Sequence, residues 1–407
     1  MTVDQVIQLR CQCNNYPWGR KGEASAAARY CAQTPGTDFK IEQGKEYAEM
    51  WMGTYPVLPS YSLKTNEDLQ DILDANQEQL IGGPVLKKFG SKLPYLPKIL
   101  SIDKALPLQI HPDKDLAQRL HEKNPDQFTD PNHKPEIAVA LGKFEVFVGW
   151  KPLNVIQALF QLKPLQRFLP EKHTHFDNNS LKSIAKTILA TSDETIAQTQ
   201  NELLALPKAS FGTESHIPEL LPRLQQQYSK QDNGNIVALC LMNYLVLNAG
   251  DSIYVPADGI HAYLSGDIVE CMARSNNVLN TGFCPRPDRD SVELFSAALT
   301  FGPHSADDSI LPAKPSDKSI NGKSSVYAPP MSEFNMLTTQ LKEGEKEDLK
   351  PINGPGIMIV TSGSGTMSTN RKDHELKEGY VFFIGQGLEL SFKSEKGLAT
   401  YMAYVEG

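Results

Sequence analysis

One interruption limits the folds open to this chain more than any other feature. Up to about Leu153, short apolar runs alternate with turn residues, as in PYLPKILSIDKALPLQIHP and PEIAVALGKFEVFVGW, and these read as strands. From Asn154 to about Asp232 the apolar positions fall at helical spacing, in NVIQALFQL, SLKSIAKTILATSDETIAQTQNELLAL and IPELLPRLQQQYSK, with Gln and Lys on the other faces. After Asn233 the strand texture returns in NIVALCLMNYLVLNAGDSIYVPADGIHAYLSGDIVECM. A β unit is interrupted by helices and then resumed. The expected organisation is a first β unit made from 1–153 and 233–301, a helical domain over 154–232, a connector over 302–325 and a second β unit over 326–407.

The two β units share a texture. ELKEGYVFFIGQGLELSF, near the end of the chain, is patterned like the earlier VLNAGDSIYVPADGIHAYL: a glycine, a β-branched and aromatic strand, then a glycine turn into another strand. The second copy has no histidine. If both are antiparallel barrels or jelly rolls, only the first can hold a His-ligated metal.

Composition narrows the function. With 40% hydrophobic and 22% charged residues in 407, the chain is neither disordered nor fibrous. A net charge of -8 argues against a general nucleic-acid binder, while leaving room for a locally positive pocket that takes a small anion. No run approaches the roughly 18 to 20 apolar residues of a membrane helix, and MTVDQVIQLRCQCNNYPWG lacks the regions of a secretory signal, so a cytosolic protein is expected. Six cysteines without a CxxC pair read as reduced structural thiols.

The chemistry concentrates in three segments. In LPLQIHPDK, Gln109 and His111 project from one face of a strand while Leu108 and Ile110 take the other. In HKPEIAVAL, Glu136 opens an apolar strand and shares its face with Lys134. In GDSIYVPADGIHAYL, His261 follows a turn and Tyr263 lies on the same side. Two imidazoles, a carboxylate and an amide oxygen suit a borderline divalent ion, zinc above all. The competing interpretation is that both histidines are hydrogen-bonded residues at strand ends. Lys134 is either a base with a lowered pKa or a solvated lysine at a strand start. His173 and His175 precede a helix cap in a polar stretch, His121 and His133 fall in loops, and Trp18 reads as a packing aromatic.

The strings LPYLPKILSIDKALPLQIHPDK, PNHKPEIAVAL, EYAEMWMGTYP and IHAYLSGDIVECMARSNNV resemble the signature segments of type I phosphomannose isomerases, over nearly the whole chain. The resemblance implies two cupin-type domains, the second metal-free, with a helical domain inserted in the first. It implies one Zn²⁺ on Gln109, His111, Glu136 and His261, the set the strand argument also selects. It further implies interconversion of D-mannose 6-phosphate and D-fructose 6-phosphate through an enediol, in a pathway feeding GDP-mannose. Lys134 and His133 match positions proposed for proton handling, and Glu49, Lys98, Tyr263 and Glu270 match others lining the pocket. A monomer with a sugar phosphate as its partner, and no nucleic acid or membrane, is expected.

The departures are informative. Where the family segment runs S-D-N-V-x-R-A-G-F, this chain has Asn276 for the aspartate and Asn280 for the catalytic arginine, losing an acid and a base together. An amide does not replace a guanidinium fork. Arg286 falls where the family has a lysine assigned to the phosphate, Arg274 is a candidate replacement charge, and Pro107 replaces a small or hydroxyl residue near the zinc strand. Three alternatives stay open: a sugar-phosphate binder that has lost turnover, an isomerase of another sugar phosphate, and a structural cupin with an incidental metal.

Overall fold

The computed structural model describes residues 3–170 and 176–407; His173 and His175 lie outside the described residues. Two ten-stranded antiparallel arrays make up the β units. In the first, the strand His261–Ala273 is the hub. Its first half pairs with Phe144–Trp150 and Leu108–Ile110, its second half with Tyr95–Ile102 and Glu136–Ala140. The switch between partners falls at Gly266, whose φ of 132° suits only glycine and where a Cβ would lie 2.7 Å from the Lys143 carbonyl oxygen. The bend lets one strand serve two faces of a barrel.

Alternation along these strands sends neighbours to different places. Leu100, Ala138, Val146, Val255 and Ile268 fill the barrel interior. Ile99, Ile137, Val139, Val269 and Cys271 point outward into a core shared with Phe334, Met336, Ile357, Ile359 and Ala403 of the second β unit. On a third side, Leu108, Ile110, Phe147, Ile260, Ala262 and Leu279 pack against Ile184, Ile188, Leu221, Leu224 and Ile236 of the helical block. Each Val, Leu, Ile, Phe or Met among them, fully buried, contributes roughly 1.5–3 kcal/mol, so the barrel is clamped from two sides. The helices begin where their caps dictate: Asp177 forms a capping box with Ser180, and the Ser192 hydroxyl accepts from the Thr195 N–H.

The expected texture repeat is visible. Ser252–Val255 leads through a turn into the long strand His261–Ala273, and Val381–Ile384 leads through a turn of equal length into Leu390–Tyr404. Leu390 therefore stands where His261 stands.

Three boundaries differ from expectation. Val6–Arg10 pairs with Val381–Ile384, so the first strand builds the second β unit, a pairing too distant in sequence for local pattern to reveal. Gly234–Leu241 is a helix buried on every side, which runs directly into the strand Met242–Leu247; a continuous apolar run carries no periodicity to separate the two. The connector supplies an edge strand, Lys314–Pro315, to the second sheet.

Candidate metal centre and the charge row behind it

His111 lies just beyond Leu108–Ile110, Glu136 opens Glu136–Ala140, and His261 opens the hub strand. All three are buried, and a ligand atom from each lies within 4.8 Å of the others. His111 Nε2 is 3.2 Å from Glu136 Oε1, and His261 Nε2 is 3.5 Å from Oε2. The tautomers follow from the other ring nitrogen. His111 Nδ1 lies 2.8 Å from the Asn277 carbonyl oxygen and His261 Nδ1 lies 2.9 Å from that of Gly259. A carbonyl only accepts, so Nδ1 carries the proton and Nε2 presents a lone pair.

Burial, reinforced by Lys134, pushes the His111 imidazole down to about 3, and burial lowers His261 as well, so both rings are neutral. Burial opposes ionisation of Glu136, yet the carboxyl lies below its usual range, with Lys134 among the groups that favour its charged form. Two lone pairs and a carboxylate thus face one point without a proton between them, and neither Nε2 has a hydrogen-bond partner among the described residues. Such a cluster is repulsive alone and attractive around a cation. The donor set fits a borderline divalent ion, with each imidazole oriented by its backbone carbonyl. Gln109 is the cross-strand partner of His261 on one side and of Asn280 on the other, which puts all three on one face with Cβ atoms about 5 Å apart.

Behind the ligands runs a row of charge. Trp51, Lys98, Glu270 and Ala138 are consecutive cross-strand partners. Lys98 Nζ lies 3.3 Å from Glu270 Oε2 and 3.7 Å from Glu49 Oε2, above the Trp51 ring at 4.8 Å, and Trp51 Nε1 donates to Glu49. Burial alone would lower the Lys98 ammonium; Glu49 and Glu270 reverse that and raise it. Glu270 is raised to about 8 by burial and then by Glu136, against the pull of Lys98. Two lysines, Lys98 and a Lys134 whose charged form burial disfavours, stand among three carboxylates, and Glu270 is the one pushed up. The Tyr263 hydroxyl donates to Glu136 Oε2 at 3.3 Å. Lys134 is buried, lowered by burial and then by Lys98 against the opposing Glu136, and makes no hydrogen bond or ion pair with the described residues.

Other expected site residues are engaged elsewhere. His133 Nε2 meets Glu333 Oε1 at 2.7 Å. The Arg274 guanidinium donates to the Thr54 hydroxyl and carbonyl, both at 3.0 Å, and stacks over Tyr55. Arg286 is exposed and paired with Asp193 of the helical block. Asn276 is exposed, its N–H donating to Asp130, whereas Asn280 keeps a buried Oδ1 without a partner among the described residues. His121 lies in the helix Lys114–Lys123 rather than in the expected loop, its ring bonding the Phe128 carbonyl, and Trp18 packs on the barrel interior as expected. Sequence reasoning missed Asn277, which acts through its backbone oxygen, and Trp51, which shares the Glu49 face in an i, i+2 pattern that was there to be read.

Fold and site together define a class: a cupin-type double-barrel protein in which, among the described residues, a His/Glu cluster able to hold a metal ion lies in the barrel that carries the helical insertion. The model for the type I phosphomannose isomerase catalytic domain matches residues 6–153. The chain is 36% identical to the mannose-6-phosphate isomerase of Aspergillus fumigatus, over 98% of this chain and 96% of that one, and 35% identical to that of Saccharomyces cerevisiae, over 99% of each. It belongs to the type I phosphomannose isomerase family. Its fold superposes on the apo mannose 6-phosphate isomerase of Salmonella typhimurium with a TM-score of 0.83 at 22% identity, covering 100% of both chains. The Salmonella enzyme bound to substrate and zinc matches with a TM-score of 0.82, also at 22% identity, over 99% of this chain and 100% of that one.

Proposed function

We propose that this chain is a zinc-dependent isomerase that interconverts D-mannose 6-phosphate and D-fructose 6-phosphate. The observation that carries the reading is the proton-free convergence of His111, His261 and Glu136 beside an unpaired buried lysine, in a chain 36% identical over its length to a named isomerase. These three residues and Gln109 would hold the zinc, which would supply Lewis-acid stabilisation for the charge that develops on the sugar oxygens during proton transfer. Lys134, an amine of lowered pKa, takes the C2 proton and returns it at C1, with His133 beside it in the chain. Glu270, titrating near neutrality, exchanges protons with the substrate hydroxyls, and Lys98 and Glu49 hold it in place. Arg286 receives the phosphate. Its present pair with Asp193 is at the surface, where such pairs contribute about 0–1 kcal/mol, so a dianion displaces Asp193 at little cost.

Asn280 favours a second reading, a sugar-phosphate binder with slow turnover. It brings an amide, not a guanidinium, to the face it shares with Gln109, and Arg274 is occupied by Thr54. A coupled assay on mannose 6-phosphate decides between the two. Metal-dependent turnover supports the isomerase; thermal stabilisation by the sugar phosphate without conversion supports the binder.

A further inference from the structure

The second β unit has Leu390 where the first has His261, yet one of its side chains reaches the loop of the first unit that carries Lys134. Glu333 precedes the strand Asn335–Leu341 and extends across the boundary between the units to His133, with side chains only 12% and 23% exposed. Burial opposes its ionisation, but the His133 ring holds the carboxyl below its usual range. The segment around it is pinned: Phe334 and Met331 enter the shared core beside Ile137, the immediate neighbour of Glu136, and the Tyr327 hydroxyl donates to the Gly250 carbonyl at 2.7 Å.

The loop that Glu333 meets is held at its flanks. The Asn132 carbonyl accepts from Ser275 Oγ and Asn277 Nδ2, and the Pro135 carbonyl accepts from the Ala273 N–H. Between those anchors stand His133 and Lys134, and among the described residues Glu333 is the one group that hydrogen bonds to the side chain of either.

We infer that the metal-free β unit serves the site of its neighbour, with Glu333 as a positioning residue that fixes the His133 ring and, through it, the backbone presenting Lys134. The inference rests on the isomerase reading above. A carboxylate accepting the Nε2–H leaves the lone pair on Nδ1 and stops the ring from rotating, so the loop keeps one conformation during proton transfer.

The test uses Glu333→Ala, Glu333→Gln, His133→Ala and the Glu333/His133 double alanine variant, each assayed for kcat, KM, zinc content and Tm. Glu333→Ala is expected to lower kcat about tenfold or more with KM and zinc unchanged. The double variant should be no worse than His133→Ala, because the two act as a unit. Glu333→Gln, whose amide oxygen still accepts from Nε2, should recover most of kcat. An unchanged kcat with a lowered Tm in Glu333→Ala, or losses that multiply in the double variant, would overturn the positioning role. If the wild-type chain shows no turnover, the isomerase reading fails separately, and nitrogen NMR of labelled histidine decides the contact: an Nε2-protonated His133 that loses this signature in Glu333→Ala supports it, and identical spectra refute it.

Discussion

Replacing Lys98 with methionine exposes how the buried charge row is balanced. The ammonium lies 3.3 Å from Glu270 and 3.7 Å from Glu49, and all three side chains are at most 9% exposed. Methionine keeps most of the volume and removes the counter-ion paired with both carboxyls. Deleting one member of a buried pair costs about 3–5 kcal/mol when the remaining charge cannot be neutralised. Here the cost depends on pH, because Glu270 titrates at about 8. At pH 6 it is already neutral, and only Glu49 loses its partner. At pH 9 the wild-type carboxylate is stabilised by Lys98, whereas the variant has to retain a proton or bury a bare charge. Glu270's folded value lies above its ordinary one of 4.5, so its contribution to stability is complete below that value and fades as pH rises through 8. Removing Lys98 moves the end of that fading to higher pH. Urea unfolding of the metal-free protein should therefore show a loss of about 3–5 kcal/mol at pH 9 and a smaller one, about 1–3 kcal/mol, at pH 6. An equal loss at both pH values, or a larger one in acid, would mean that Lys98 does not balance Glu270 in this way.

Asn280→Arg restores a cation to the face shared with Gln109 and should raise kcat by about 10²-fold, the size of effect seen when one charge-stabilising donor is removed from an active site; unchanged turnover in a coupled assay would show that position 280 does not limit the rate. Arg286→Ala should raise KM for mannose 6-phosphate about tenfold or more and leave kcat nearly unchanged, since phosphate binding is common to ground and transition states; a fall in kcat alone would contradict that role. Ile137→Ala opens a cavity in the core shared by the two β units and should cost about 2–5 kcal/mol in chemical denaturation; a loss under 1 kcal/mol would mean that the units do not depend on this packing.

The legible part of the site is the part written in strand alternation. Gln109, His111, Glu136 and His261 can be placed on inward faces because their apolar neighbours Leu108, Ile110, Ile137 and Ala262 demand burial on the opposite side. Unbroken apolar runs defeat the same logic, and NIVALCL reads as a strand although it is a buried helix. Contacts between distant segments leave no local trace: nothing near Glu333 points to His133, 200 positions away, and nothing near Val6 points to Ile384. Backbone groups are invisible for a different reason. The Asn277 and Gly259 carbonyls set the tautomers of both ligand histidines, and any residue type could have supplied them. The family resemblance marks Arg286 as a cation for a phosphate, but its pair with Asp193 depends on how the helical block folds back.

If His111, Glu136 and His261 converge in order to hold a catalytic cation, metal and turnover must rise and fall together. Zinc content and turnover of mannose 6-phosphate, followed in one preparation as the metal is chelated away and then restored, put this to the proof. We expect about one zinc per chain, with activity that disappears and returns in step with it. Full turnover by protein shown to be metal-free would contradict it.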